Sequence, residues 1–223
     1  MNPVFVAIDT AELRLARKLV AAVRPHVGGI KLGLQFFAAH GPAGVRELAG
    51  AGLPVFLDLK FHDIPNTVSR AIQSVRTLQP QVLTVHAAGG PEMLRRARRI
   101  AGKDTKVVAV TVLTSLSDRD LDQTGVRGHI AAQATRLAML AKLCGLDGIV
   151  CSGLEVAAIR AAWPEGYLVV PGLRPAGSGR DDQKRSVTPA AALASGASML
   201  VIGRPITAAR DPGEAARAIV ASL

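Results

Sequence analysis

Aromatic side chains are scarce: one Trp, one Tyr and five Phe in 223 residues. A core must therefore be built from Val, Leu, Ile and Ala, the composition of a sheet covered on both faces. The scarcity also removes the stacking platforms on which single-stranded nucleic acid binds. Cysteine is equally sparse. Cys144 and Cys151 make no disulfide framework and no metal motif, and they suit a reducing, cytoplasmic setting. No uncharged apolar run reaches about 18 residues, so no membrane span is expected. The opening MNPVFVAIDT lacks a charged n-region and carries Asp9 early, unlike a signal peptide. Acidic residues are the minority charge, 17 against 27 basic ones. The resulting +10 is dispersed and arginine-rich, 20 Arg to 7 Lys, as compositional bias produces. A basic surface also attracts anionic substrates. The one cluster, Arg95, Arg96, Arg98 and Arg99, has no interleaved aromatics and reads as the polar face of a helix after Pro91. Nucleic acid is not an expected partner.

Short β-branched runs alternate with Ala-, Leu- and Arg-rich helical stretches. Eight strands are expected, at about 3–8, 28–33, 54–59, 82–86, 106–113, 146–151, 167–171 and 199–202. Helices are expected at 11–24, 42–51, 65–78, 91–102, 127–144, 153–163, 189–195 and 206–222. Strict alternation implies parallel strands with right-handed crossovers. Eight such units make an α/β chain that closes as a (β/α)8 TIM barrel, a single domain over 1–223. An open doubly wound sheet is the alternative, but its G-x-G-x-x-G fingerprint is missing after the first strand, which reads AIDTAE. The polar stretch 171–188 is a candidate lid.

One segment stands apart. Residues 56–67 read FLDLKFHDIPNT, with Asp58, Lys60 and Asp63 closing an apolar strand. Strand neighbours two apart share a face, with Cα atoms roughly 6.6 Å apart. Asp58 and Lys60 are therefore expected to point the same way, with Asp63 in the turn before Pro65 and the ammonium set between carboxylates. Barrel catalysis sits at the C-terminal strand ends. Those ends carry Asp9, Lys31, Asp58 with Lys60, His86, Thr114, Cys151 with Ser152, Arg174, and Gly203 with Arg204. Buried charge is costly unless paired, so packing alone does not account for them. VIGRPIT at 201–207 places Gly203 and Arg204 where this fold often binds phosphate, and Arg174 and Gln183 precede it. Blander readings stand beside these. Asp9 could cap a helix through Asp9-Thr10-Ala11-Glu12. Lys31 could snorkel out of a strand end, and His86 could be structural. Thr114 and Ser115 could bond nearby backbone, and Asp118 and Asp120 could open a helix.

AIDT at 7–10, KLG at 31–33, FLDLKFHDIPNT at 56–67, VHAAGG at 85–90, VTVLTS at 110–115, DGIVCS at 147–152, PGLRP at 171–175, DQ at 182–183 and VIGRPIT at 201–207 together resemble the orotidine 5′-phosphate decarboxylase family in its bacterial form. The resemblance spans the chain. It implies decarboxylation of orotidine 5′-monophosphate to uridine 5′-monophosphate, the last step of de novo pyrimidine synthesis, without cofactor or metal. It implies a homodimer with shared sites. Lys31, Asp58 and Lys60 would serve one subunit's site, and Asp63, Ile64 and Thr67 the partner's. Asp9 and Lys31 would hold ribose hydroxyls. Thr114 and Gln183 would face the pyrimidine, and Arg174, Gln183, Gly203 and Arg204 the phosphate. A rival is the Mg2+-dependent 3-keto-gulonate 6-phosphate decarboxylase and hexulose-phosphate synthase type, which shares D-x-K-x-x-D but holds a metal at the end of strand two. Lys31 stands there and would repel the cation. A Schiff-base aldolase would need an unprotonated Lys60, which flanking carboxylates disfavour.

Overall fold

The computed structural model describes residues 2–174 and 187–223. In chain order it runs β1 (Val4–Ala7), α1 (Leu13–Val23), β2 (Gly29–Gly33), α2 (Leu34–Ala49), β3 (Val55–Phe61), α3 (Pro65–Arg76), β4 (Val82–His86) and α4 (Gly90–Ala101). It continues β5 (Lys106–Val110), α5 (Asp118–Gln123), α6 (Ile130–Leu143), β6 (Gly148–Val150), α7 (Val156–Ala162), β7 (Tyr167–Val170), α8 (Pro189–Ala194), β8 (Met199–Ile202), α9 (Arg204–Thr207) and α10 (Pro212–Ala221). The strands pair in parallel in sequence order, and β8 pairs with β1 to close an eight-stranded barrel. No helix among the described residues is long and apolar enough to cross a membrane.

Strand periodicity divides the core in two. Residues such as Val4, Val6, Ile30, Leu32 and Leu57 belong to the larger cluster between sheet and helices. Their alternate neighbours Phe5, Phe56, Val82, Val108, Val169 and Met199 form a second cluster that fills the barrel. Phe5 needs room there, and Gly29 beside it supplies the room: a Cβ on Gly29 would stand 2.2 Å from the Phe5 ring. The same inward register carries Lys31 on β2, Asp58 on β3 and Thr84 on β4. Each polar group thus sits directly above the apolar plug.

All eight expected strands are present, with the fifth ending at Val110 rather than 113. The helices differ more. The expected helix 206–222 is two, because Asp211 caps a new start, its side chain accepting from Glu214 N at 3.0 Å, with Pro212 at the first helical position. The expected helix 42–51 is the second half of α2, which bends at Gly41 (φ 55°) and begins earlier, at Leu34. The short α5 lies outside the expected helices, at Asp118 and Asp120. Ser117 and Asp120 form its capping box, so those acids do open a helix.

Candidate active site

The C-terminal mouth of the barrel encloses a cavity of about 250 Å³, lined among others by Lys31, Asp58, Lys60, Thr114, Arg174, Gly203 and Arg204. At its floor the charged groups form one chain of contacts. Lys31 Nζ donates to Asp9 Oδ1 at 3.0 Å and lies 3.5 Å from Asp58 Oδ2. Lys60 Nζ donates to that same Asp58 oxygen at 2.7 Å. Acid and base alternate through four residues, Asp9 just after β1, Lys31 on β2, and Asp58 and Lys60 on β3. Asp9 therefore does not cap α1. Glu12 stands at that N-cap with no side-chain bond, and Thr10 Oγ1 accepts from Glu12 N.

Lys60 reaches Asp58 by an unexpected route. Its φ is +50°, the left-handed region that a lysine rarely enters. That conformation costs roughly 1–2 kcal/mol. It coincides with a register shift, since Leu57 pairs with Leu83 while Phe61, four residues on, pairs with Val85. The kink removes the Lys60 amide from the ladder. Thr84 receives it: Thr84 Oγ1 accepts from Lys60 N at 2.8 Å and donates to Asp58 Oδ1 at 2.9 Å. Thr84 is not among the residues that the strand ends and motifs single out. Its signal is a hydroxyl at an inward position of VLTVH, a strand otherwise apolar until its end.

Burial alone would raise the Asp58 carboxyl. The charges of Lys31 and Lys60, with hydrogen bonds from Lys60 and Thr84, outweigh it and hold the group below its ordinary value. The unfolded chain takes up a proton at Asp58 in the ordinary carboxylate range, the folded chain only at lower pH. Stability from this group is thus present above that ordinary value and is lost as pH falls through the folded one. Acid denaturation followed by circular dichroism is expected to show a shallower loss of stability below about pH 4 in Asp58→Asn than in wild type.

Gly33 protects the array. A Cβ there would stand 2.9 Å from both Asp9 Oδ1 and Lys31 Nζ. The backbone (φ −98°) accepts alanine, so the clash falls on the ion pair alone. Gly33→Ala is expected to lower kcat/KM about tenfold with the melting temperature nearly unchanged, by steady-state kinetics and calorimetry.

The other expected residues divide. Thr114, Gly203 and Arg204 line the cavity. Arg174 lies in its wall, largely buried, with Nη1 donating to Leu173 O at 3.0 Å. His86 stacks on His62 with centroids 5.3 Å apart, and burial followed by the nearby His62 and Lys60 charges holds its imidazole below the ordinary value. Asp63, Ile64 and Thr67 do not join the cavity of their own chain. All three are exposed at the turn into α3, and Asp63 Oδ1 accepts from Ile64 N at 2.7 Å. Within one chain, then, Lys60 is not held between Asp58 and Asp63, because the turn that leads into Pro65 carries Asp63 outward. Gln183, and most of the stretch expected to act as a lid, lie outside the described residues.

Residues 2–219 match the profile of the orotidine 5′-phosphate decarboxylase / HUMPS family. An orotidine 5′-phosphate decarboxylase of Sphingopyxis alaskensis is 60% identical over 222 residues, covering 100% of this chain and 99% of its own. Another, from Erythrobacter litoralis, is 58% identical with the same coverage. The crystal structure of orotidine 5′-phosphate decarboxylase from Lactobacillus acidophilus superposes with a TM-score of 0.87 at 38% identity, over 98% of this chain and 97% of that one. With a profile match across nearly its whole length and relatives this similar, the chain belongs to the orotidine 5′-phosphate decarboxylase / HUMPS family.

Proposed function

We propose that this chain is an orotidine 5′-phosphate decarboxylase, converting orotidine 5′-monophosphate to uridine 5′-monophosphate and CO2 at the end of pyrimidine biosynthesis. The observation that carries the reading is the Lys60 ammonium, held 2.7 Å from Asp58 at the floor of the cavity. Family membership and relatives of that name at up to 60% identity support it.

Breaking the bond to CO2 leaves an electron pair on the pyrimidine C6, with nothing in the ring to spread it. A preorganised cation at that point stabilises the pair as it forms. The ammonium then gives its proton to C6, and solvent reprotonates the amine. Lys60 takes this role. Asp58 anchors it and lies near the departing carboxylate. Lys31 ties Asp58 to Asp9, and Lys31 and Asp9 hold the ribose hydroxyls. Thr114 and Gln183 face the base. Arg174, Gly203, Arg204 and Gln183 hold the phosphate, whose binding energy is spent on positioning the distant reacting carbon.

The site is completed by a second copy of the chain in a homodimer. Asp63, Ile64 and Thr67 of each subunit enter the other's cavity, and Asp63 extends the charge alternation past Lys60. Their exposure at the start of α3, outside their own chain's cavity, supports this. The enzyme works in the cytoplasm without metal or cofactor.

The HUMPS branch of the family supplies the competing reading. Its metal would have to stand where Lys31 Nζ already bonds Asp9 and lies beside Asp58, and the ammonium would repel it. Incubation with orotidine 5′-monophosphate, and separately with 3-keto-gulonate 6-phosphate and Mg2+, distinguishes them. Loss of ultraviolet absorbance with the nucleotide and no CO2 from the sugar phosphate is the expected result. The reverse pattern would replace this reading with the metal-dependent one.

A further inference from the structure

We propose that Thr84 is a positioning residue for the decarboxylation, its hydroxyl fixing the turn that lays the Lys60 ammonium on Asp58. The role rests on the decarboxylase reading above, while the geometry stands by itself. Thr84 is fully buried, in the middle of β4, on the face that looks into the barrel. Its single hydroxyl has one proton and is used in both senses: it accepts from Lys60 N at 2.8 Å and donates to Asp58 Oδ1 at 2.9 Å.

The two bonds constrain different things. The first supplies a partner to a backbone amide that the bulge has taken out of the ladder, at the one residue of β3 with positive φ. The second occupies Oδ1 of Asp58, which leaves Oδ2 to face both Lys60 and Lys31. The hydroxyl thus sets the backbone from which the lysine side chain departs and the rotation of the carboxylate that receives it. In a regular strand, Lys60 would project beside Asp58 at the strand spacing rather than fold back onto it. Thr84 lies below the cavity and does not line it, so it acts through its two neighbours.

Thr84→Val keeps the shape and removes the hydroxyl. A buried amide and a carboxylate oxygen then lose their partner together, and the lysine is freed to relax toward ordinary strand geometry. The kinetic signature is specific. kcat is expected to fall between about 10- and 100-fold, because the reacting ammonium is displaced. KM is expected to stay within about threefold, because Arg174, Gly203 and Arg204 are untouched. Thr84→Ser, which restores the hydroxyl, is expected to recover kcat to within about threefold of wild type. A threonine that only supported the fold would lower the melting temperature and leave kcat per folded enzyme unchanged.

The experiment is a comparison of wild type, Thr84→Val and Thr84→Ser by steady-state kinetics with orotidine 5′-monophosphate, by calorimetry and by crystallography. In Thr84→Val the crystal structure is expected to show Lys60 out of the left-handed region and Nζ beyond hydrogen-bond distance of Asp58 Oδ2. An unchanged kcat in Thr84→Val, equal impairment of Val and Ser variants, or an unmoved Lys60 would each overturn the proposal. If Thr84→Val does not fold, Thr84→Cys carries the same test, since a thiol is a poor donor and acceptor and kcat must fall there too. Should wild type fail to decarboxylate the nucleotide, the decarboxylase reading falls, and the crystallographic comparison still decides what Thr84 does to Lys60.

Discussion

Lys60→Ala is expected to lower kcat by at least about 10⁴-fold, since in the proposed mechanism it removes both the charge that stabilises the carbanion and the proton that quenches it. That loss corresponds to about 5 kcal/mol of transition-state stabilisation. The fold is expected to survive. Lys60 is partly exposed, and Asp58 keeps the Thr84 hydrogen bond and Lys31 at 3.5 Å, so no buried carboxylate is left alone. Nucleotide binding is expected to persist, because the residues proposed to hold the phosphate, Arg174, Gly203 and Arg204, follow other strands, β7 and β8. Single-turnover kinetics with the ultraviolet signal, and calorimetric titration with uridine 5′-monophosphate, separate the two effects. A Lys60→Ala variant that keeps substantial turnover would remove Lys60 from the role of proton donor.

Restored activity from two inactive proteins is the second large effect. If the proposed homodimer shares its sites, Lys60→Ala and Asp63→Ala are each expected to be nearly inactive alone. After subunit exchange, a hybrid dimer has one site with both defects and one with neither, if Asp63 serves its partner's site. Random exchange of equal amounts makes half the dimers hybrids, so activity is expected to recover to roughly a quarter of wild type per chain. Assay after mixing, with exchange verified by mass spectrometry on differently tagged chains, checks this. No recovery after proven exchange would place Asp63 outside a shared site. The outward course of the turn, which leaves Asp63 exposed and outside its own chain's cavity, favours recovery.

Much of the barrel was legible because parallel strands buried on both faces leave unbroken apolar runs, as in VVAV at 107–110 and MLVI at 199–202. Short helices were not. DRDLDQ at 118–123 is too brief to show a period, and only the capping box marks it. The split between α9 and α10 was written in Asp211-Pro212, a cap and a first-turn proline inside a stretch that otherwise reads as continuous.

At the site, residue types and their strand placement carried the reading. Asp58 and Lys60 follow from their two-residue strand spacing and Lys31 from its place at a strand end, and both lysines meet Asp58. The path by which Lys60 arrives does not follow from spacing. A lysine at positive φ has no sequence signal, since it is held there by tertiary contacts that overcome local preference. Thr84 gives little sequence signal for a related reason. A single hydroxyl on an apolar strand usually bonds nearby backbone, and its significance appears only when β3 bulges against β4. Asp63 looked like a third member of one cluster because it is near in sequence, whereas the turn sends it out of its own chain's cavity.

The most direct measurement is turnover of orotidine 5′-monophosphate by wild-type protein after exhaustive treatment with EDTA. If an anchored ammonium alone carries the chemistry, the chelated protein releases one CO2 per uridine 5′-monophosphate at the untreated rate. Absence of turnover, or turnover that returns only when Mg2+ is restored, would contradict the account.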